Sequence, residues 1–113
     1  MNTPVSFEIA KSLKEKGFDL PCRLLYKSEK ELEEGIGVDY DWNRFDSYSA
    51  PTIVEVVMWL YEKHGIWISV LQHTKNGKGV YFESFVNSMT FSGYNSPTKA
   101  YEAAIEYTLK NLI

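Results

Sequence analysis

PTIVEVVMWLYEKHG (residues 51–65) runs into IWISVLQHT (residues 66–74), and the reading of this junction decides the fold. The first stretch reads as a helix. Pro51 suits the first helical position, where its missing N–H costs nothing. Ile53, Val54, Val56, Val57, Met58, Trp59, Leu60 and Tyr61 make the helix apolar almost all round, with Glu55 and Glu62 as polar exceptions. Three valines are poor helix formers, so packing has to hold it, and Val57 and Leu60 are expected to face the interior. Lys63 and His64 lie at the negative end of the helix dipole, and Gly65 suits the left-handed position that follows. The second stretch reads as a strand. Ile66, Ile68 and Val70 share one face; Trp67, Ser69, Leu71 and His73 share the other. A greasy helix joined to a strand by one glycine is the expected nucleus of the core.

Downstream, Asn76-Gly77 signals a hairpin, with Lys78-Gly79 lengthening its loop, and VYFESFV (80–86) returns as the partner strand. SMTFSGY (88–94) reads either as a further strand or as an extension past a bulge. The last helix begins with Ser96 as N-cap and Pro97 at the first position. Its apolar face is Tyr101, Ala104, Ile105, Thr108 and Leu112, flanked by Ala100 and Leu109.

Upstream, Thr3-Pro4 reads as the start of a first helix with Val5, Ile9, Ala10 and Leu13 on its apolar stripe and Gly17 at its end. CRLLYK (22–27) reads as a short strand, and SEKELEEG (28–35) as an acidic loop or one helical turn. IGVDYDWNRF (36–45) alternates, with Ile36, Val38, Tyr40 and Trp42 on one side, and is expected to form a hairpin with 22–27. Ser47–Ala50 is the turn into the central helix. The order is α-β-β-α-β-β-(β)-α. It predicts a single α+β domain over 1–113, with a mostly antiparallel sheet of four or five strands and helices packed mainly on one face.

The runs SAPTIVEVVMWLYEKHGIWI and SPTKAYEAAIEYTLKNLI resemble small uncharacterised proteins encoded by phages and mobile elements of gut anaerobes. The likeness covers the first helix, the central helix with its strand, and the last helix. It implies a phage or mobile-element origin. It brings no activity, so no residue role is carried over from it.

Composition narrows the function classes. With 113 residues, 44% of them hydrophobic, the chain has enough apolar material for a core, and aromatics at 15% leave rings for the surface. A net charge of −3 and a pI near 5.4 argue against general nucleic-acid binding. One cysteine, Cys22, excludes an intramolecular disulfide and favours a reducing compartment. The first residues carry scattered charges and no apolar stretch like that of a signal peptide, and no run approaches a membrane span. The expected location is the cytoplasm.

Candidate chemistry is sparse. Asp39, Asp41 and Asn43 match three early positions of a calcium-binding loop, but Arg44 and Ala50 stand where that loop needs Gly and Glu. His64, His73 and Cys22 have no recognised ligand spacing, so no metal or cofactor is expected. Cys22 with a histidine could in principle form a nucleophilic pair, yet no local signature accompanies it. Charge is uneven: Glu29, Glu31, Glu33, Glu34, Asp39, Asp41 and Asp46 stand against Lys30 and Arg44, a net of −5 over 29–46. This predicts an acidic surface. Trp67, Tyr81 and Phe85 are expected to meet on the open sheet face as an interface. The favoured function is a non-catalytic interaction protein that binds a host or phage protein, or a second copy as a homodimer. The alternatives are an acidic mimic of nucleic acid that inhibits a host DNA-binding protein and, more weakly, a small enzyme using Cys22 and a histidine.

Overall fold

A computed structural model describes residues 3–35, 37–77 and 79–113. The α+β class holds: three helices accompany two three-stranded antiparallel sheets, in place of one sheet of four or five strands. Contacts divide the chain into two compact units, Asn2–Thr52 and Ile53–Ile113.

The N-terminal unit contains α1 (Phe7–Glu15), β1 (Leu24–Ser28), β2 (Glu31–Glu34), a 3-10 turn (Trp42–Arg44) and β3 (Tyr48–Ser49). Its strands lie in the order β2-β1-β3. Ser6, not Thr3, caps α1, accepting from the Ile9 N–H at 3.3 Å. The chain before the helix is engaged elsewhere: Pro4 bridges Thr52, and the Val5 N–H donates to the Pro51 carbonyl at 2.9 Å. The expected Thr-Pro helix start gives way to this extended pairing, and Pro51 likewise lies ahead of the central helix rather than inside it. Ile9, Ala10 and Leu13 are buried on α1, with Phe18, Cys22, Leu25 and Tyr26 buried in the same unit. The Tyr26 hydroxyl donates to the Val5 carbonyl at 2.8 Å, and the Phe7 ring stands edge-on to Tyr26 and Tyr48.

Two further expectations fail in this unit. The acidic run is neither a loop nor a helical turn: Glu31–Glu34 is the strand that pairs with β1, through Leu24↔Glu34, Leu25↔Glu33 and Tyr26↔Leu32. An exposed outer strand needs only backbone pairing on its inner side, so its side chains are free to be charged. The alternating segment 36–45 is not a strand. Ile36 lies outside the described residues, Val38 is exposed, Tyr40 forms a single bridge to Cys22, and the chain then enters the 3-10 turn. Its place beside β1 is taken by β2 on one edge and β3 on the other.

The C-terminal unit comprises α2 (Ile53–His64), β4 (Ile68–Thr74), β5 (Val80–Val86), β6 (Met89–Tyr94) and α3 (Pro97–Asn111). Its sheet is a meander, β4-β5-β6. On α2, Ile53, Val56, Val57, Trp59 and Leu60 are buried, as the apolar pattern requires. Gly65 adopts φ +68°, and the Ile66 N–H turns back to the Leu60 carbonyl at 3.1 Å. Asn76 and Gly77 both have positive φ, 47° and 73°, matching the twist a tight hairpin demands; Lys78 lies outside the described residues. Within 88–94, Met89–Tyr94 is a strand of its own, reached through a turn at Asn87 and Ser88. Ser96 caps α3 with Pro97 at its start, as expected. The helix lies across β4, β5 and β6, burying Ala100, Ala104, Ile105, Thr108 and Leu109, and α2 packs beside it. Tyr101 and Leu112 are half-buried, so the buried face is centred nearer Ala100 and Leu109 than the sequence implies.

Candidate binding surfaces

Three surfaces carry side chains that the fold does not use up. The first is in the N-terminal unit. Leu25, Lys27, Trp42, Phe45, Asp46 and Ser47 bound an open, mainly apolar cleft of about 410 Å³. Its wall is set by side chains that bond to backbone. The Trp42 indole N–H donates to the Cys22 carbonyl at 2.6 Å, and the Asn43 amide donates to the Phe18 carbonyl at 2.8 Å while accepting from the Ser49 N–H. The Ser47 hydroxyl donates to the Trp42 carbonyl at 2.7 Å. The Lys14 ammonium, which lies 4.8 Å from the Tyr48 ring centroid, donates to the carbonyls of Phe45 and Ser47 at 2.6 and 2.8 Å. The Trp42 ring rests on Gly35, where a Cβ would overlap it. At the mouth, Phe45 is 56% exposed and stacks on Tyr40, with centroids 5.8 Å apart.

The predicted acidic residues belong to this unit. Glu29, Glu31, Glu34, Asp39 and Asp46 are exposed; Glu33 and Asp41 are half-buried. Glu33 lies 3.3 Å from the Lys27 ammonium and Asp39 lies 3.9 Å from Arg23, while Asp41 accepts from the Asn43 N–H. The side chains of the calcium-like triplet therefore already have partners within the protein. Among the described residues, no group of three His, Cys, Asp or Glu is placed to hold a metal ion.

The second surface is the outer side of α2. Val54, Met58 and Tyr61 recur at i, i+4 and i+7, and are 40%, 40% and 53% exposed. Trp67, 52% exposed, stands edge-on to Tyr61 with centroids 5.4 Å apart, and so extends the stripe past the helix end.

The third is the face of the β4-β5-β6 sheet opposite α3. Ile68, Ser84 and Val86 are buried on the helix side. Leu71, His73, Tyr81, Glu83 and Phe85 alternate with them onto the other face. His73 stacks on Tyr81, its cross-strand partner, at 5.1 Å, and its Nε2 lies 3.0 Å from a Glu83 carboxylate oxygen. Lys75, Tyr81, Ser92 and Gly93 bound a smaller cleft of about 330 Å³ at that end.

The register separates two members of the expected aromatic trio, Trp67 and Tyr81. Tyr81 is opposite His73, six positions along the ladder from Trp67, a separation of roughly 20 Å at the strand rise. Phe85 is opposite Ser69 and half-buried. What the sequence missed is the partnership of Trp67 with Tyr61 across Gly65. The signal was present in the i, i+4, i+7 spacing of Val54, Met58 and Tyr61, hidden because the whole helix is apolar.

Cys22 is buried, and its thiol donates to the Leu20 carbonyl at 3.5 Å. His64 and His73 belong to the other unit, where His64 stands edge-on to Trp59. We expect Cys22 in the native protein to react with a thiol-specific reagent at least about tenfold more slowly than in urea, because only a thiolate that meets water is a competent nucleophile. Equal rates would reopen the cysteine-based chemistry.

Comparison with protein-family models, curated proteins and solved structures found no match. Among the described residues no helix is long and apolar enough to cross a membrane.

Proposed function

We propose that this chain is a non-catalytic interaction protein, of the phage or mobile-element kind its sequence resembles, and that it binds other proteins through the outer side of α2. One observation carries the reading: Val54, Met58, Tyr61 and Trp67 form a contiguous exposed apolar stripe on a regular scaffold. Scattered apolar residues are ordinary on a surface, whereas a connected row of large ones rich in aromatics and methionine has the composition of an interface core. The most economical partner is a second copy, since a stripe on one helix face can meet itself about a two-fold axis. The acidic-mimic alternative has less support, because Lys27, Arg23 and the capping role of Asp41 already engage three of its seven carboxylates.

Trp67→Glu is expected to leave the circular dichroism spectrum unchanged and to abolish concentration-dependent self-association in sedimentation equilibrium. Met58→Glu should behave alike, because it lies on the same stripe. A wild type that stays monomeric at millimolar concentration would remove the homodimer. A host protein captured equally well by wild type and Trp67→Glu would remove this surface altogether.

A further inference from the structure

We propose that the outer edge of β4 takes up an extended segment of another protein as an added antiparallel strand, with an apolar residue opposite Leu71 and a carboxylate opposite Lys75. What recruits it is backbone that the sheet leaves unpaired, independent of the α2 stripe.

The direction of the backbone groups follows from the hairpin. The Lys75 N–H donates to the Gly79 carbonyl at 3.0 Å, which makes these residues a hydrogen-bonded pair. Such pairs alternate with non-hydrogen-bonded ones along an antiparallel ladder. β4 and β5 keep one register from Thr74↔Val80 to Ile68↔Val86, so the alternation is unbroken. His73, Leu71 and Ser69 therefore bond towards β5, while Thr74, Gln72 and Val70 turn their N–H and C=O groups the other way. β4 is an end strand of its sheet, and among the described residues no backbone hydrogen bond meets it from that outer side. Gln72 and Thr74 are exposed and Val70 is half-buried; Ile68 is buried and closes the edge at its start.

End strands are ordinarily closed to strand addition by charge, by proline or by a bulge. At the other end of this sheet, β6 has the bulge: its register with β5 shifts between Phe82 and Ser84, and Gly93 adopts φ +87°. β4 has none of these devices. ISVLQHT (68–74) carries no acid, lysine, arginine or proline, and its ladder is regular. His73 is turned onto Tyr81 and Glu83 of β5.

The register specifies the incoming strand. Its hydrogen-bonded pairs fall at Val70, Gln72 and Thr74, so Leu71 and Lys75 enter non-hydrogen-bonded pairs, whose side chains come closest. Leu71 is 53% exposed and calls for an apolar, β-branched residue opposite it. Lys75 is exposed on the same face, and among the described residues no carboxylate forms an ion pair with it. Glu83 lies on β5, across β4 from the new strand, and is engaged by His73 at 3.0 Å. Opposite charges in facing positions stabilise a strand pair, so a carboxylate is the complement of Lys75. A second copy paired antiparallel about Leu71 would set Trp67 there instead.

The test is fluorescence anisotropy of a labelled heptapeptide, ETTTVVT, titrated with the full chain. With its first residue opposite Lys75, the second, fourth and sixth N–H groups point to β4 and the third and fifth point away. Two isomers are compared. N-methylation of the third and fifth residues spares the pairing edge and stops the peptide from aggregating; N-methylation of the fourth and sixth removes donors to β4. Saturable binding of the first isomer is expected, with the second about tenfold weaker or worse, as the lost hydrogen bonds require. Gln72→Pro deletes an outward N–H that β5 does not use, at a position where an edge strand tolerates proline. It should weaken the first isomer about tenfold with circular dichroism unchanged, and the isomer pair tests the same point on unaltered protein. Lys75→Glu should weaken ETTTVVT about threefold and strengthen KTTTVVT, a small effect because the pair is exposed. Equal affinity for the two isomers would overturn the proposal, as would no saturable binding by either. Indifference to the charge reversal would overturn the carboxylate opposite Lys75. Self-association of the chain that Gln72→Pro abolishes would overturn the foreign partner, by giving the edge to a second copy.

Discussion

Leu60→Ala is expected to lower the unfolding free energy of the C-terminal unit by about 2–5 kcal/mol. Leu60 is fully buried on α2, and its carbonyl accepts the Ile66 N–H that turns the chain from helix to strand. Truncation removes the side chain's transfer energy and leaves a void among Val56, Val57 and their neighbours, which cannot collapse freely in a packed interior. The measurement is a urea titration followed by far-ultraviolet circular dichroism. Met58→Ala, two residues away on the exposed stripe, is the comparison and should stay within about 0.5 kcal/mol. A Leu60→Ala cost below 1 kcal/mol, or a Met58→Ala cost as large as that of Leu60→Ala, would mean that the buried side of α2 is misplaced.

Gly35→Ala is the second large effect. Gly35 is buried, its N–H donates to the Arg23 carbonyl at 2.7 Å, and the Trp42 ring lies where a Cβ would go. The indole Cε2 and Cη2 would each come within 2.9 Å of the added carbon. Neither group can give way cheaply: one is backbone in a hydrogen bond and the other a rigid ring pinned by its own N–H. Overpacking of this kind costs about 1–3 kcal/mol, and expelling the ring forfeits its bond to Cys22, worth about 1 kcal/mol more. Thermal unfolding should show the loss, and indole fluorescence should shift to the red as Trp42 enters water. In a Trp42→Ala background the same change should be close to neutral, because the clashing ring is gone. A penalty that persists without Trp42 would place its cause in the Gly35 backbone instead.

The two units differ in how much of them the sequence revealed. In the C-terminal unit three boundaries are written locally. Ser96-Pro97 starts a helix, Gly65 stops one, and Asn76-Gly77 turns a hairpin, because each satisfies a backbone requirement within a few residues of itself. Residues 28–49 obey no such local grammar. Their conformation depends on Lys14 reaching Phe45 and Ser47, on Asn43 reaching Phe18 and on Trp42 reaching Cys22, all distant in sequence. The alternation of Val38, Tyr40 and Trp42 looked like a strand, but Tyr40 turns out to stack on Phe45 and Trp42 to rest on Gly35. The cleft was illegible for the same reason. Its six lining residues come from β1, the 3-10 turn and the segment that follows it, and no spacing announces that they will meet. Asp46 was visible only as one member of an acidic run.

That run has a further consequence as the outermost strand of a sheet. A bare sheet edge offers unpaired N–H and C=O groups to any extended chain, including another molecule of the same kind. β2 carries Glu31, Glu33 and Glu34 along this edge, so two such edges approaching each other bring like charges into register with little to gain apolarly beyond Leu32. The opposite edge is protected differently, since β3 is two residues long and offers too short a template. Like charges along this edge therefore oppose its pairing with a second copy. The guard depends on their charge: Glu→Gln at positions 31, 33 and 34 is expected to leave the buried core unchanged and to raise edge-to-edge association, read by light scattering.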